Sequence, residues 1–468
     1  MADKPKVTPF EMGAPRQHWC IADYHAAYRS GHTTPLRLTE DRLARAAEGD
    51  AALFIRLTTE RALQEARCST LRWAEGRPLG PLDGIPLVWK DLFDMAGTPT
   101  TAASTWLADA PPATADAAAV ASLCRAGAVS LGKVNLSEFA FSGLGLNPHF
   151  GTPMHPLSPG LARAPGGSSS GSAAAVSAGL VPVGMGTDTG GSLRVPAAFQ
   201  GLVGYQPTVA RHDQHGVYPL SHSLDTIGTM AHNVRDCIAV DAALRGHAGW
   251  GDDSVAELPL SQLHLLVPAN VVFDEAEPEV RSCFDAAVQA LRAAGARVEI
   301  EPVAIFDRIL ALNAGQGTLA AAEGYHWHRE RVDGPHADRF DRRVLARLQR
   351  GRQMSASDLL LIQQARVKWQ AALLTQLGRR VLLMPTVVHV APECAALEAD
   401  DELFHRINVR TLRNTMLGNF LGLCGMSLPM GAGRDGLPLG ALLQCPPEQD
   451  AALLAAALSV ERVLNRPV

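Results

Sequence analysis

Apolar positions along this chain follow two rhythms that alternate in blocks. In residues 277–303, EPEVRSCFDAAVQALRAAGARVEIEPV, Val280, Phe284, Ala287, Val288 and Leu291 recur at the 3.6-residue period of one helical face, and Val298 and Ile300 then alternate as in a strand. Residues 114–135, TADAAAVASLCRAGAVSLGKVN, repeat that design: a small-residue helix closed at Gly127, then a β-rich piece over 128–131. Two helix-then-strand units imply an α/β fold with helices layered on a sheet. They are too dissimilar to be an internal repeat.

The remaining segments extend this picture. Over residues 39–75, Leu43, Ala46, Ala47, Phe54, Ile55 and Leu63 recur at helical spacing with a break near Gly49, which predicts a helical N-terminal arm. PLDGIPLVWKDLFD, residues 81–94, places Pro and Gly punctuation around a short apolar run, residues 85–89, the pattern of a buried strand with Lys90 at its end. Residues 306–377 are helical, richer in charge and dotted with Tyr325, His326, Trp327, His328 and Trp369, as expected of a cap on the sheet. RVLLMPT, MSLPMG and GLPLGALLQC return to strand character before a final helix over about 448–464. No Pro/Gly/Ser-rich linker separates folded halves, so one interrupted domain is expected over 1–468.

Composition narrows the function classes. With 468 residues, 47% hydrophobic and 19% charged positions and a formal net charge of -5, neither a nucleic-acid binder nor an unfolded chain is expected. The eight cysteines form no Cys-x-x-Cys pair, which argues against a zinc knuckle and a disulfide scaffold. MADKPKVTPFEMG lacks the apolar core of a secretory signal, and no later run is an uninterrupted apolar span long enough for a bilayer; a cytoplasmic protein is expected, without membrane or nucleic-acid partners.

Candidate chemistry concentrates in two Gly/Ser clusters. The first, APGGSSSGSAAAV at 164–176, runs straight into an alanine-rich helix and so is no linker. It lacks the Gly-Lys-Ser/Thr ending of a phosphate loop. Residues 167–171 spell Gly-x-Ser-x-Gly, which would make Ser169 the nucleophile of a hydrolase elbow, but the preceding PLSPGLARAP cannot be the central strand that an elbow requires. The second cluster, VPVGMGTDTGGSLRVPAAFQG at 181–201, reads as a strand over 181–185, a turn over 187–191 with adjacent glycines, and Ser192 at its end. Adjacent glycines let consecutive amides converge on an oxyanion, which favours Ser192 as nucleophile. No histidine has comparable company and no His-Glu-x-x-His spacing occurs, so Lys90, at the end of a buried run where desolvation disfavours its charge, is the candidate base.

These stretches resemble the amidase signature family, which hydrolyses amides through a Ser, cis-Ser, Lys triad. GPLDGIPLVWKD, GKVNLSEFAF, APGGSSSGSAAAVSAG, GTDTGGSLRVPAAFQGLVGYQPT and SLDTIGTMA carry the resemblance over roughly residues 80–235, and LMPT, LGNFLGLCGMSLPMG and GLPLGALLQ extend it toward the C-terminus. It implies a mixed central β-sheet covered by helices on both faces in a single large domain. Its parts would be an arm (1–75), a signature core (76–240), the remaining α/β core (241–305 and 379–468) and a substrate cap (306–378). By position, the base falls on Lys90, the bridging serine on Ser168 and the nucleophile on Ser192, with the serines 24 positions apart as in the family. The resemblance further implies an oxyanion hole from the amides of Thr189, Gly190, Gly191 and Ser192, and a cis bond between Gly167 and Ser168. Ser169, Ser170, Asp188 and Arg194 would support these groups, Arg194 by bracing the loop against an acidic partner such as Asp188.

No metal or organic cofactor is expected. The implied substrate is a small aryl or aliphatic carboxamide, with NPHFGT at 147–152 similar to hydrolases of small arylacetamides. Carbamates or ureas, the glutaminase subunit of a tRNA-dependent amidotransferase, and a non-catalytic binding module are the alternatives; a homodimer is a possible assembly.

Overall fold

Eleven strands form one mixed sheet in the computed structural model, which describes residues 18–251 and 255–465. In chain order these are β1 (Phe54–Leu57), β2 (Pro86–Lys90), β3 (Val129–Val134), β4 (Val183–Asp188), β5 (Val203–Gln206), β6 (Thr226–Ala231), β7 (His264–Pro268), β8 (Arg297–Glu301), β9 (Val381–Pro385), β10 (Cys424–Ala432) and β11 (Pro438–Cys445). Their order across the sheet is β1-β3-β2-β4-β6-β5-β10-β11-β9-β7-β8. Strand β2 lies parallel to both β3 and β4, the centre of the sheet is antiparallel, and β9, β7 and β8 are parallel again.

The strands are apolar on both faces because both are covered. Along β2, Leu87 and Trp89 enter one core with Met185, Ile227 and Val240, while Val88 enters another with Val129, Leu131 and Ala173 to Val176. Along β9, Val381 and Leu383 face one core, and Leu382 and Met384 face the opposite one. Successive side chains of a strand point to opposite faces, so such runs require a helix layer on each side.

The same parity aims Lys90. Two residues beyond Val88, it faces the layer that holds the helix Ser170–Ser177. That helix rests on bare backbone. A Cβ on Gly184, which pairs with Val88, would lie 2.7 Å from the Ser172 carbonyl oxygen, and one on Gly186 would lie 2.6 Å from Ser169 Oγ. The glycines of GMG thereby let the serine-bearing helix approach β4.

The helix-then-strand units occur as Ala118–Arg125 before β3 and Pro278–Ala293 before β8, and all five residues assigned to the apolar face of the second helix are buried. Residues 304–377 hold four α-helices, Ala304–Gln316, Leu319–Val332, Arg342–Arg352 and Ala356–Leu377. Two expectations are corrected. Phe54 and Ile55 belong to β1, a four-residue edge strand paired antiparallel with β3 between the helices Pro35–Glu48 and Thr59–Ala74; so short a strand shows no resolvable period. Thr187 lies within β4 and not in the turn, since β4 stays paired with β6 through Asp188. The long helix Asp401–Phe420 has no counterpart in the apolar pattern, because its buried positions are largely Asn, Thr and Arg rather than aliphatic. The first residues, including MADKPKVTPFEMG, lie outside the described residues. Among the described residues no helix is long and apolar enough to cross a membrane.

Candidate active site

Strand β2 ends at Lys90, whose side chain is 0% exposed. Its Nζ lies 2.8 Å from Ser168 Oγ, 2.8 Å from Thr187 Oγ1 and 3.5 Å from the Thr187 carbonyl oxygen. Among the described residues no carboxylate touches it. Burial pushes the amine down from the ordinary lysine value to about 7, against the pull of Asp225 and Asp188, which favour the charged form. A neutral amine has two donors and one lone pair, so it can donate to Thr187 and accept from the Ser168 hydroxyl.

The neighbouring buried lysine has a different surrounding. Lys133 pairs in register with Trp89, so it faces the opposite side of the sheet, and its Nζ lies 2.7 Å from Asp91 Oδ1. A carboxylate at that distance favours the ammonium form, whereas Lys90 has only neutral oxygens at hydrogen-bond distance.

Ser168 is also 0% exposed, and the peptide bond from Gly167 to Ser168 is cis. Gly167 donates its N–H to the Gly143 carbonyl at 2.8 Å. A Cβ on Gly167 would stand 2.6 Å from the Gly145 nitrogen, so only glycine fits between the two loops. Ser169 caps the start of the helix Ser170–Ser177; its amide donates to the Ser192 carbonyl at 3.3 Å, and its hydroxyl to the Thr187 carbonyl at 3.3 Å. No strand leads into this turn, so the elbow arrangement does not form. Ser170 Oγ is buried without a hydrogen-bond partner.

The second cluster wraps around a carboxylate. Asp188, at the end of β4, accepts from the amides of Gly191 (2.8 Å) and Leu193 (3.0 Å), from Arg194 Nη2 (2.9 Å) and Nε (3.1 Å), and from Asn419 Nδ2 (2.9 Å). Burial works against its charge, yet Arg194 and these donors hold the carboxyl below the usual range. The turn is thus tied at both ends, and Ser192 is presented at its tip, 4% exposed. Of the four candidate oxyanion amides, that of Gly191 is taken by Asp188, which leaves those of Thr189, Gly190 and Ser192 unclaimed by this carboxylate.

Other groups around the site carry no pattern in the sequence. Thr415 Oγ1 donates to the Gly190 carbonyl at 2.7 Å, so the helix Asp401–Phe420 clamps the turn through Thr415 and Asn419. Asp225, buried, accepts from Thr189 Oγ1 at 2.5 Å and from the amides of Leu220 and Ser221 at 2.9 Å each. Burial pushes its carboxyl up, opposed by these donors. Glu323 of the helix Leu319–Val332 accepts from Ser221 Oγ at 2.8 Å, so loop 220–225 connects that helix to the site. Asp225 lies within SLDTIGTMA, but nothing in that stretch marks its position as facing Lys90.

A family model described as Amidase matches residues 37–454, and the chain belongs to this amidase family, enzymes that hydrolyse C–N bonds. It is 33% identical over 461 residues to 2-amino-5-chloromuconic acid deaminase from Comamonas testosteroni, covering 96% of this chain and 97% of that protein. A crystal structure of an amidase superposes with a TM-score of 0.84 at 30% identity, covering 96% of this chain and 100% of the other. A glutamyl-tRNA(Gln) amidotransferase subunit from Chloroflexus aurantiacus is 39% identical over 291 residues, covering 60% of this chain and 59% of that protein.

Proposed function

We propose that Ser192 is the nucleophile of an amidohydrolase, with Lys90 as its base acting through Ser168, and that the substrate is a small aryl or aliphatic carboxamide. The observation that carries this reading is the buried, carboxylate-free Lys90 amine 2.8 Å from Ser168 Oγ. As Ser192 Oγ bonds to the amide carbon, its proton passes to Ser168 while the Ser168 proton passes to Lys90. The amides of Thr189, Gly190 and Ser192 receive the oxyanion, and the C–N bond breaks as the proton returns to the departing nitrogen. Water then attacks the acyl-enzyme by the same relay and the free acid leaves. The reaction needs no metal or organic cofactor.

The helical segment over 306–378 is the part that selects the substrate, since Glu323 links it to the loop carrying Asp225. A relative named for deaminating a small organic acid supports a compact substrate rather than a lipid. The amidotransferase relatives support a second reading, a glutaminase subunit, which requires turnover of glutamine and a copurifying partner. A fluorophosphonate probe followed by peptide mapping, with a hydrolysis panel of aryl amides, aliphatic amides, carbamates, ureas and glutamine, tests both. Modification at Ser192 is expected; modification at Ser169, or none, overturns the assignment.

A further inference from the structure

The cap helix Arg342–Arg352 carries five arginines, three of which face carboxylates: Arg342 on Asp401 at 2.6 Å, Arg343 on Asp341 at 2.7 Å and Arg352 on Asp333 at 3.3 Å. Arg347 is half-buried and has no ion pair among the described residues. Its guanidinium carbon lies 4.3 Å from the centroid of the Phe141 ring. Burial, with Arg350 beside it, pushes this group down to about 10, so it is still a cation at neutral pH. An aromatic face offsets only part of the cost of a desolvated charge that has no counter-charge.

Phe141 belongs to the loop that supports Ser168. Two residues on, the Gly143 carbonyl accepts the Gly167 N–H. Ser142 Oγ and the Gly143 amide both donate to Asn408 Oδ1, at 3.2 Å and 2.8 Å, which fixes the orientation of that side-chain amide. Asn408 Nδ2 is left buried with no partner. A cation without an ion pair among the described residues and a buried amide donor without a partner are thereby held against one loop, at residue 141 and at residues 142–143. His405, one helical turn before Asn408, has its imidazole pushed down by burial and then by Arg347 and Arg350, which favours its neutral form beside them.

We propose that Arg347, together with Asn408 Nδ2 of the helix Asp401–Phe420 held against the same loop, receives a carboxylate at the end of the substrate remote from the scissile amide. The enzyme then selects monoamides of dicarboxylic acids over uncharged amides of equal length, because a guanidinium fork and an amide donor match a carboxylate and not a methyl group. This inference rests on the amidohydrolase reading of Ser192.

The test compares kcat/KM for succinamate against butyramide, and glutaramate against pentanamide, in the wild type, Arg347→Met and Arg347→Lys. The wild type is expected to favour the acid amides by at least about tenfold, and the ratio to fall about ten- to a hundredfold in Arg347→Met, the loss of a charged hydrogen bond. Arg347→Lys keeps the charge without the fork and is expected to fall between. Fluorophosphonate labelling of Ser192 in each variant checks that the site is folded, and the wild-type preference stands as a test even if a variant does not fold. No labelling of the wild type overturns the amidohydrolase reading. Labelling with no preference for the acid amides, with a ratio unchanged by Arg347→Met, or with no turnover of either acid amide overturns the role of Arg347 alone.

Discussion

Lys90 Nζ and Ser168 Oγ stand 2.8 Å apart in a pocket where neither side chain is exposed, although 78 residues separate them. Strand β2 delivers one and the turn before the helix Ser170–Ser177 delivers the other. The pair couples stability to the proposed reaction, because the amine assigned there as proton acceptor is also a group whose charge is costly to bury.

Lys90→Met is expected to lower kcat/KM at pH 7 by about a hundredfold or more, the usual worth of a general base, while raising the melting temperature. The sign follows from linkage. The Lys90 value falls from 10.5 to about 7 on folding, so below pH 7 both states are charged and the native state bears the full burial penalty. Between pH 7 and 10.5 the native state sheds its proton first, and wild-type stability rises. The advantage of Lys90→Met should therefore be largest below pH 7 and shrink toward pH 10.5, read by thermal melts across that range.

For the wild type, kcat/KM should rise about tenfold per pH unit below pH 7 and level off above it, as the neutral amine accumulates. Asp225 is the larger of the two charges holding that amine protonated. Asp225→Asn should move the acid limb to lower pH. A limb that stays in place separates the profile from Lys90.

Arg194 donates two hydrogen bonds to Asp188, the buried carboxylate that holds the turn before Ser192 through the Gly191 and Leu193 amides. Arg194→Met leaves a carboxylate uncompensated in the interior, which costs about 3–5 kcal/mol. Urea denaturation should show this loss, and fluorophosphonate labelling of Ser192 should slow in the surviving folded fraction.

Adjacent glycines in the turn should respond differently to alanine. Gly191 has φ +137, and its Cβ would fall 2.2 Å from Thr415 Oγ1, whereas nothing lies within 4 Å of a Cβ on Gly190. Gly191→Ala is expected to lower the melting temperature by several degrees, and Gly190→Ala to leave it close to wild type. Equal shifts would place the Thr415 clamp elsewhere.

Legibility in the sequence follows the strength of local pattern. The buried run ending at Lys90, the helix-then-strand units and the two Gly/Ser clusters are marked by period, punctuation and composition within a few residues. Strand β1 reads as helix because four residues between two helices carry too little period to resolve. Thr187, Asp225, Thr415 and Asn419 have no signal of their own. Each is a common polar residue whose role comes from what lies opposite it, and those partners stand between 36 and 231 positions away in the chain.

Chain order alone specifies which residues are small enough, apolar enough or reactive enough: the bare glycines of GMG and TGG, the apolar run that carries Lys90 inward, the serines on either side of β4. Folding adds what no local stretch encodes, namely which lysine is left without a carboxylate, which turn amide Asp188 consumes, and which arginine is laid on Phe141. The reason is physical. Propensity and hydrophobic period act over one or two turns of chain, whereas desolvation, ion pairing and hydrogen-bond satisfaction depend on every group within a few ångströms, whatever its place in the sequence.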